Sequence, residues 1–262
     1  MSYTIAVIGK GGVGKTTVAA LIAGRLIAQG KSPVLAVDAD PNTCLDAALG
    51  VKALNTIGAV REDARKLVSK GKLAGVSKQE LLNLKISEGL VESDGFDLIA
   101  MGRSEGPGCY CYANDVLKLA IARLSKSYPY IVIDNEAGLE NLSRRIVTQV
   151  NLLVMVADPS RQGVRTAKRL YDLTGEMGIR YDRLAIIFNR LRNGDLPGEA
   201  EAVSKEARAD FVVALPSDET LAKFGEEGES LLKIPKGNAV AERLGRLLDD
   251  AGVGDKNLKG KS

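Results

Sequence analysis

Gly9-Lys10-Gly11-Gly12-Val13-Gly14-Lys15-Thr16-Thr17 decides the fold of this chain. Gly9 through Thr16 fits G-x-x-x-x-G-K-[ST], a pattern whose glycines let successive backbone N–H groups converge on a polyphosphate. In that pattern Lys15 reaches the β- and γ-phosphates and the Thr16 hydroxyl sits on Mg²⁺. The flanks are those the pattern demands. Tyr3 to Ile8 is an apolar run that reads as a buried strand, and Thr16 to Gln29 carries Val18, Leu21, Ile22, Leu26 and Ile27 at helical spacing. The helix start then faces the phosphates with its positive dipole end. A chance glycine-rich turn would not come with strand, loop and helix in order. One lysine suffices for a bound nucleotide, so Lys10 is left over.

Working outward, apolar runs recur between helical patterns: Val34–Val37, Leu98–Met101, Tyr130–Ile133, Leu152–Val156, Leu184–Phe188 and Phe211–Val213. Continuous rather than alternating hydrophobicity implies strands covered on both faces. The expected fold is therefore α/β, three-layer, with a mostly parallel twisted sheet and helices on both sides. Arg161 to Met177 and Glu199 to Arg208 are long enough for crossover helices. Val51 to Gly95 is polar, lysine-rich and weakly periodic, and reads as helical excursions outside the sheet. No linker splits the chain, so one domain is expected over residues 1–254, with 255–262 a flexible tail.

Composition narrows the function classes. Apolar residues make up 45% of the 262, enough for a large core without disulfide or metal staples. The net charge of +3, from 36 basic and 33 acidic residues, gives no nucleic-acid footprint. No apolar run approaches the ~18 residues of a membrane span, and no signal-peptide pattern is present. A cytoplasmic protein without stable membrane association is expected. Histidine is absent altogether, which excludes imidazole ligands, histidine bases and Ser-His-Asp catalysis. Metal chemistry would rest on Cys44, Cys109, Cys111 and the carboxylates.

Carboxylates gather where such a sheet binds ligands. Asp38-Ala39-Asp40-Pro41 follows the second strand. Turn formation would explain two acids there, but beside a phosphate loop Asp40 is placed to orient or activate the attacking water, and Asp38 to hold the Mg²⁺ hydration shell. Asp134-Asn135-Glu136-Ala137-Gly138 ends the Tyr130–Ile133 strand. Asp134 then occupies the Walker-B position, binding Mg²⁺ through water, and the Gly138 N–H is set to sense a γ-phosphate. The Asn-Lys-x-Asp pattern that reads guanine is missing. Asn189 and Arg190 after one strand, with Pro216 and Asp218 after another, are assigned to adenine, so the nucleotide is ATP or ADP.

Gly106-Pro107-Gly108-Cys109-Tyr110-Cys111-Tyr112 follows the Leu98–Met101 strand, on a loop at the same sheet edge. C-x-C spacing in extended backbone puts both sulfurs on one side. Two thiolates are half of a tetrahedral S₄ set, which two chains related by a twofold axis would complete. Two small packed cysteines, or a redox pair, are the other readings. Lone Cys44 reads as a buried packing residue.

The loop with its extra lysine, Asp38-x-Asp40-Pro41 and Asp134-x-x-Ala137-Gly138 together resemble the deviant Walker-A ATPases, and the resemblance spans most of the chain. That family includes the nitrogenase iron protein, the Min and Par positioning ATPases, and nickel-insertion ATPases of carbon monoxide dehydrogenase. It implies a homodimer that sandwiches ATP, with Lys10 crossing to the partner's phosphates as a catalytic cation beside Lys15 and Asp40. Gly-Cys-Tyr-Cys looks most like the CooC-type maturation factors. Those imply Ni²⁺ or Zn²⁺ bridged between subunits by Cys109 and Cys111, and a client nickel enzyme, carbon monoxide dehydrogenase or acetyl-CoA synthase. A Min- or Par-like scaffold with incidental cysteines, and an iron–sulfur electron donor, are the other functions the resemblance allows.

Overall fold

The apolar runs pair side by side into one eight-stranded sheet. The computed structural model describes residues 2–59, 83, 86–103, 111–137, 148–192 and 195–254. Its elements run β1 (Tyr3–Gly9), α1 (Lys15–Ala28), β2 (Val34–Asp38), α2 (Leu45–Leu49), β3 (Leu90–Glu92) and β4 (Phe96–Ala100). There follow α3 (Cys111–Leu124), β5 (Tyr130–Asp134), β6 (Gln149–Ala157), α4 (Arg161–Glu176), β7 (Arg180–Leu191) and α5 (Gly198–Glu206). The chain closes with β8 (Phe211–Pro216), α6 (Glu219–Glu227), a 3₁₀ turn (Leu231–Lys233) and α7 (Ala239–Asp250). The lateral order is β3-β4-β2-β5-β1-β6-β7-β8. Every neighbouring pair is parallel except β3 with β4.

All seven expected runs coincide with strands, Met101 alone lying one residue past β4, and the eighth strand corrects the sequence reading. Leu90–Glu92 falls in the stretch read as helical excursions, yet it pairs antiparallel with β4 at the sheet edge. Three residues are too few for alternation to declare itself, and the partner strand supplies the order instead. Residues 60–82, 84–85 and the expected tail, 255–262, lie outside the described residues.

Both faces of the sheet are covered, which is why the strands carry apolar residues without alternation. On one face Ile5 and Val7 pack with Val18, Leu21, Ile22 and Leu26 of α1 and with Leu244 and Leu248 of α7. On the other, Ala6 and Ile8 meet Val164, Ala167 and Leu170 of α4. Further along that face, Leu35, Ile131 and Ile133 meet Ala113, Leu117 and Ala120 of α3. The apolar stripe of α7 is thus spent on the core. From the same helix, Arg243 Nη1 donates to the Ala214 carbonyl on β8.

Strand order places the site. β1 leads through α1 to β2 on one side, whereas β5 is followed by β6 on the other. Such a reversal opens a crevice at the carboxyl ends of the strands, and the Gly9–Thr16 loop lies in it.

Candidate functional site

The loop between β1 and α1 is shaped by close approach. A side chain at Gly9 would press on the Val156 carbonyl of β6. Gly14 sits at φ +98°, and a Cβ there would stand 2.5 Å from Asn189 Nδ2. Both positions therefore require glycine. Lys15 opens α1 and is only 7% exposed. Its Nζ lies 3.4 Å from the Lys10 carbonyl oxygen, and no described carboxylate forms an ion pair with it. Burial lowers its pKa, against the opposing pull of Asp134 and Asp40. The Lys10 side chain, by contrast, is exposed.

Parallel register brings Asp38 of β2 directly opposite Asp134 of β5. Asp134 is 1% exposed and accepts a 2.5 Å hydrogen bond from the Thr16 hydroxyl through Oδ2. Its Oδ1 is buried with no partner. Burial pushes its carboxyl up to about 7, with Asp38 and Asp40 adding to the rise while Thr16 and Lys15 oppose it. Asp38 is fully buried but saturated. Oδ1 accepts from Asp40 N at 3.0 Å, and Oδ2 accepts from Cys44 N and Leu45 N at 2.8 Å each. Burial still lifts it to about 6, those three N–H bonds notwithstanding.

A buried lysine without a counter-ion and a buried carboxylate oxygen without a donor are each costly alone. A magnesium–polyphosphate carries both missing charges. Thr16 Oγ1 and Asp134 supply the hard oxygens that Mg²⁺ prefers, so the residues present fit the cation.

The adenine-assigned residues are already engaged within the protein. Asn189 Nδ2 donates to the Val13 carbonyl at 2.8 Å, and Arg190, at φ +64°, donates through Nη1 to the Gly12 carbonyl at 2.9 Å. Both thus brace the phosphate loop. Asp218 caps α6 through Leu221 N at 2.9 Å and accepts from Asn238 Nδ2 at 2.8 Å, while Pro216 closes β8. Gly138 and Cys109 lie outside the described residues.

Cys111 is the first residue of α3, so the extended backbone expected across the cysteine pair does not continue through it. Among the described residues, no cluster of three or more cysteines and carboxylates is arranged to hold a metal. Cys44 is exposed, against the expectation of a packed thiol. It lies on the turn into α2, where its backbone N–H is held by Asp38.

Two residues escaped the sequence reading. Asn42 donates twice to Asp40 Oδ1, from its backbone N at 2.8 Å and from Nδ2 at 2.9 Å. Arg103, just past β4, donates through Nη2 to Asn42 Oδ1 at 2.6 Å. The Asp-Pro-Asn turn hints at the first contact. Nothing local announces the second, which joins positions 61 residues apart.

Sheet, switch-point crevice and glycine loop define a P-loop nucleotide-binding protein. Residues 4–232 match the model of the CobQ/CobB/MinD/ParA nucleotide binding domain, and the chain belongs to that family. It is 37% identical over 244 residues to an uncharacterised ATP-binding protein of Methanocaldococcus jannaschii, covering 92% of this chain and 94% of that one. It is 29% identical over 245 residues to the carbon monoxide dehydrogenase accessory protein CooC of Rhodospirillum rubrum, covering 86% and 88% respectively. The septum site-determining protein MinD of Pyrococcus horikoshii, solved with Mg-ADP, superposes with a TM-score of 0.66 at 22% identity, covering 97% and 98%. That last likeness concerns the fold alone.

Proposed function

We propose that this protein is a Mg²⁺-dependent ATPase that dimerises on ATP and serves the maturation of a nickel enzyme. The observation that carries the ATPase reading is the pair of incomplete buried charges, Lys15 and the Oδ1 side of Asp134. Thr16 and Asp134 would hold Mg²⁺, which supplies charge neutralisation on the phosphate oxygens. Lys15 and the backbone N–H groups of Gly11 to Thr17 bind the polyphosphate. Asp40 orients the attacking water, and Lys10 reaches the partner subunit's nucleotide, adding a cation where transition-state charge develops. In this reading Asn189, with its second amide hydrogen, and the β8–α6 turn at Pro216 and Asp218 face adenine, and the Gly138 N–H reads the γ-phosphate.

The maturation reading rests on the Cys109-x-Cys111 motif and the similarity to CooC. Two subunits would pool four thiolates around Ni²⁺ or Zn²⁺ as cargo, and hydrolysis would loosen that set so that metal passes to carbon monoxide dehydrogenase or acetyl-CoA synthase. Sequence similarity to the septum site-determining protein MinD of Bacillus subtilis, 27% identical over 247 residues, supports a second reading, a positioning ATPase in which the cysteines are incidental. The Cys109→Ser/Cys111→Ser double variant separates them. Loss of stoichiometric nickel or zinc by elemental analysis, with ATP hydrolysis retained, is expected. Undiminished metal binding sinks the maturation reading. Oligomer mass with and without ATP tests the shared site, since a permanent monomer contradicts it.

A further inference from the structure

The Asp40 carboxylate is gripped from one side only. Its Oδ1 takes both hydrogen bonds offered by Asn42, and no described residue donates to its Oδ2. The backbone beneath is fixed separately. Asp38 accepts from the N–H groups of Asp40, Cys44 and Leu45, and Thr43, at φ +50°, donates its N–H to the Asp40 carbonyl at 3.1 Å. Main chain and side chain of Asp40 are thus set by different neighbours.

Asn42 is itself held from outside the loop. Its amide donates to a carboxylate through Nδ2 and accepts from a guanidinium through Oδ1. A carboxylate only accepts and a guanidinium only donates, so one amide orientation satisfies both. An aspartate in that place would lose the donor and a leucine would lose both contacts. Arg103 comes into reach because the chain turns at Gly102, where φ is +64° and a side chain would collide with Thr56.

We propose that Asn42 and Arg103 are positioning residues for Asp40, orienting its carboxylate so that Oδ2 is presented to the water that attacks ATP. The proposal rests on the ATPase reading. Arg103 acts through Asn42, its hydrogen-bond partner at 2.6 Å. Both residues are exposed, so the contact orients more than it stabilises, and removing either should leave the fold intact.

The test uses the full chain with Mg²⁺ and ATP, reading kcat and KM separately, with ADP affinity as the control for an intact site. A hydrogen bond of ordinary strength corresponds to a roughly three- to tenfold effect on rate. Asn42→Ala and Arg103→Ala should lower kcat by that amount, leaving KM and ADP affinity within about twofold. Arg103→Lys, which keeps a donor, should recover much of the loss. Asn42→Asp, which sets carboxylate against carboxylate, should be the slowest of the set. The double variant Asn42→Ala/Arg103→Ala should be no slower than Asn42→Ala alone, because one residue works through the other.

Wild-type rates in the single variants, additive losses in the double variant, or kcat and KM changing together would overturn the assignment. If the wild-type protein itself hydrolyses no ATP, the ATPase reading fails and this assignment fails with it. A wild type that turns over beside indifferent variants removes only the positioning role.

Discussion

The ends of β2 and β5 carry two aspartates in the same register, both buried, and the surrounding chain treats them in opposite ways. After Asp38 the chain folds back, so that the N–H groups of Asp40, Cys44 and Leu45 all point at its carboxylate. Past Asp134 no such return occurs among the described residues, and only the Thr16 hydroxyl meets it, leaving Oδ1 unpartnered. Identical residue types at matched depth thus become a loop anchor in one place and a carboxylate with an unpartnered oxygen in the other. The backbone that follows decides which.

Lys15 is the sharpest probe of the open side, since no carboxylate among the described residues forms an ion pair with it. Lys15→Met keeps the buried stem and removes the cation. ADP affinity should fall roughly a hundredfold, the equivalent of losing charge-assisted bonds to phosphate, while the nucleotide-free protein melts at a higher temperature. Calorimetric titration and a thermal scan check both halves. A lower melting temperature would mean that Lys15 is not electrostatically incomplete.

Exchanging each aspartate for asparagine breaks the comparison or confirms it by sign. Asp38→Asn turns an amide donor toward backbone N–H groups and should cost about 1–3 kcal/mol in denaturant unfolding without nucleotide. Asp134→Asn removes a buried charge yet keeps an acceptor for Thr16, and should stabilise the same state. It should also weaken the Mg²⁺ dependence of ADP binding about tenfold, a loss of the size expected when a charged ligand becomes neutral. Shifts of one sign in both variants would erase the distinction.

A pH scan reads the two aspartates together. Burial raises Asp134 to about 7 and Asp38 to about 6, so the folded chain holds these protons more tightly than the unfolded one. Stability of the nucleotide-free protein should therefore decline as pH rises from about 4 through about 7. Unfolding midpoints at pH 5 and pH 8 measure it. Asp134→Asn should flatten the slope, and an unchanged slope in that variant would place the titration elsewhere.

How much of this was legible in advance depended on the range of each interaction. The glycine loop, the apolar strands and both acidic turns are local patterns, and each appears where the sequence puts it. β3 was missed because its order comes from a neighbour across the sheet. The Arg103–Asn42 link is longer still and left no trace in spacing. Asn189 was noticed for its place after a strand, but its bond to the Val13 carbonyl depends on β7 lying beside the phosphate loop. Cys44 misled because average burial of a residue type says nothing about a turn tied down by its own N–H group.

One contact at the rim of the sheet bears on assembly. β8 is an outermost strand, and outermost strands invite edge-to-edge pairing with another copy. The Arg243 guanidinium occupies the Ala214 carbonyl there, and Val212 beside it remains 41% exposed. A cationic plug on a strand margin discourages fibre-like growth without covering the surface. Any strand that paired with this edge would first have to displace that guanidinium.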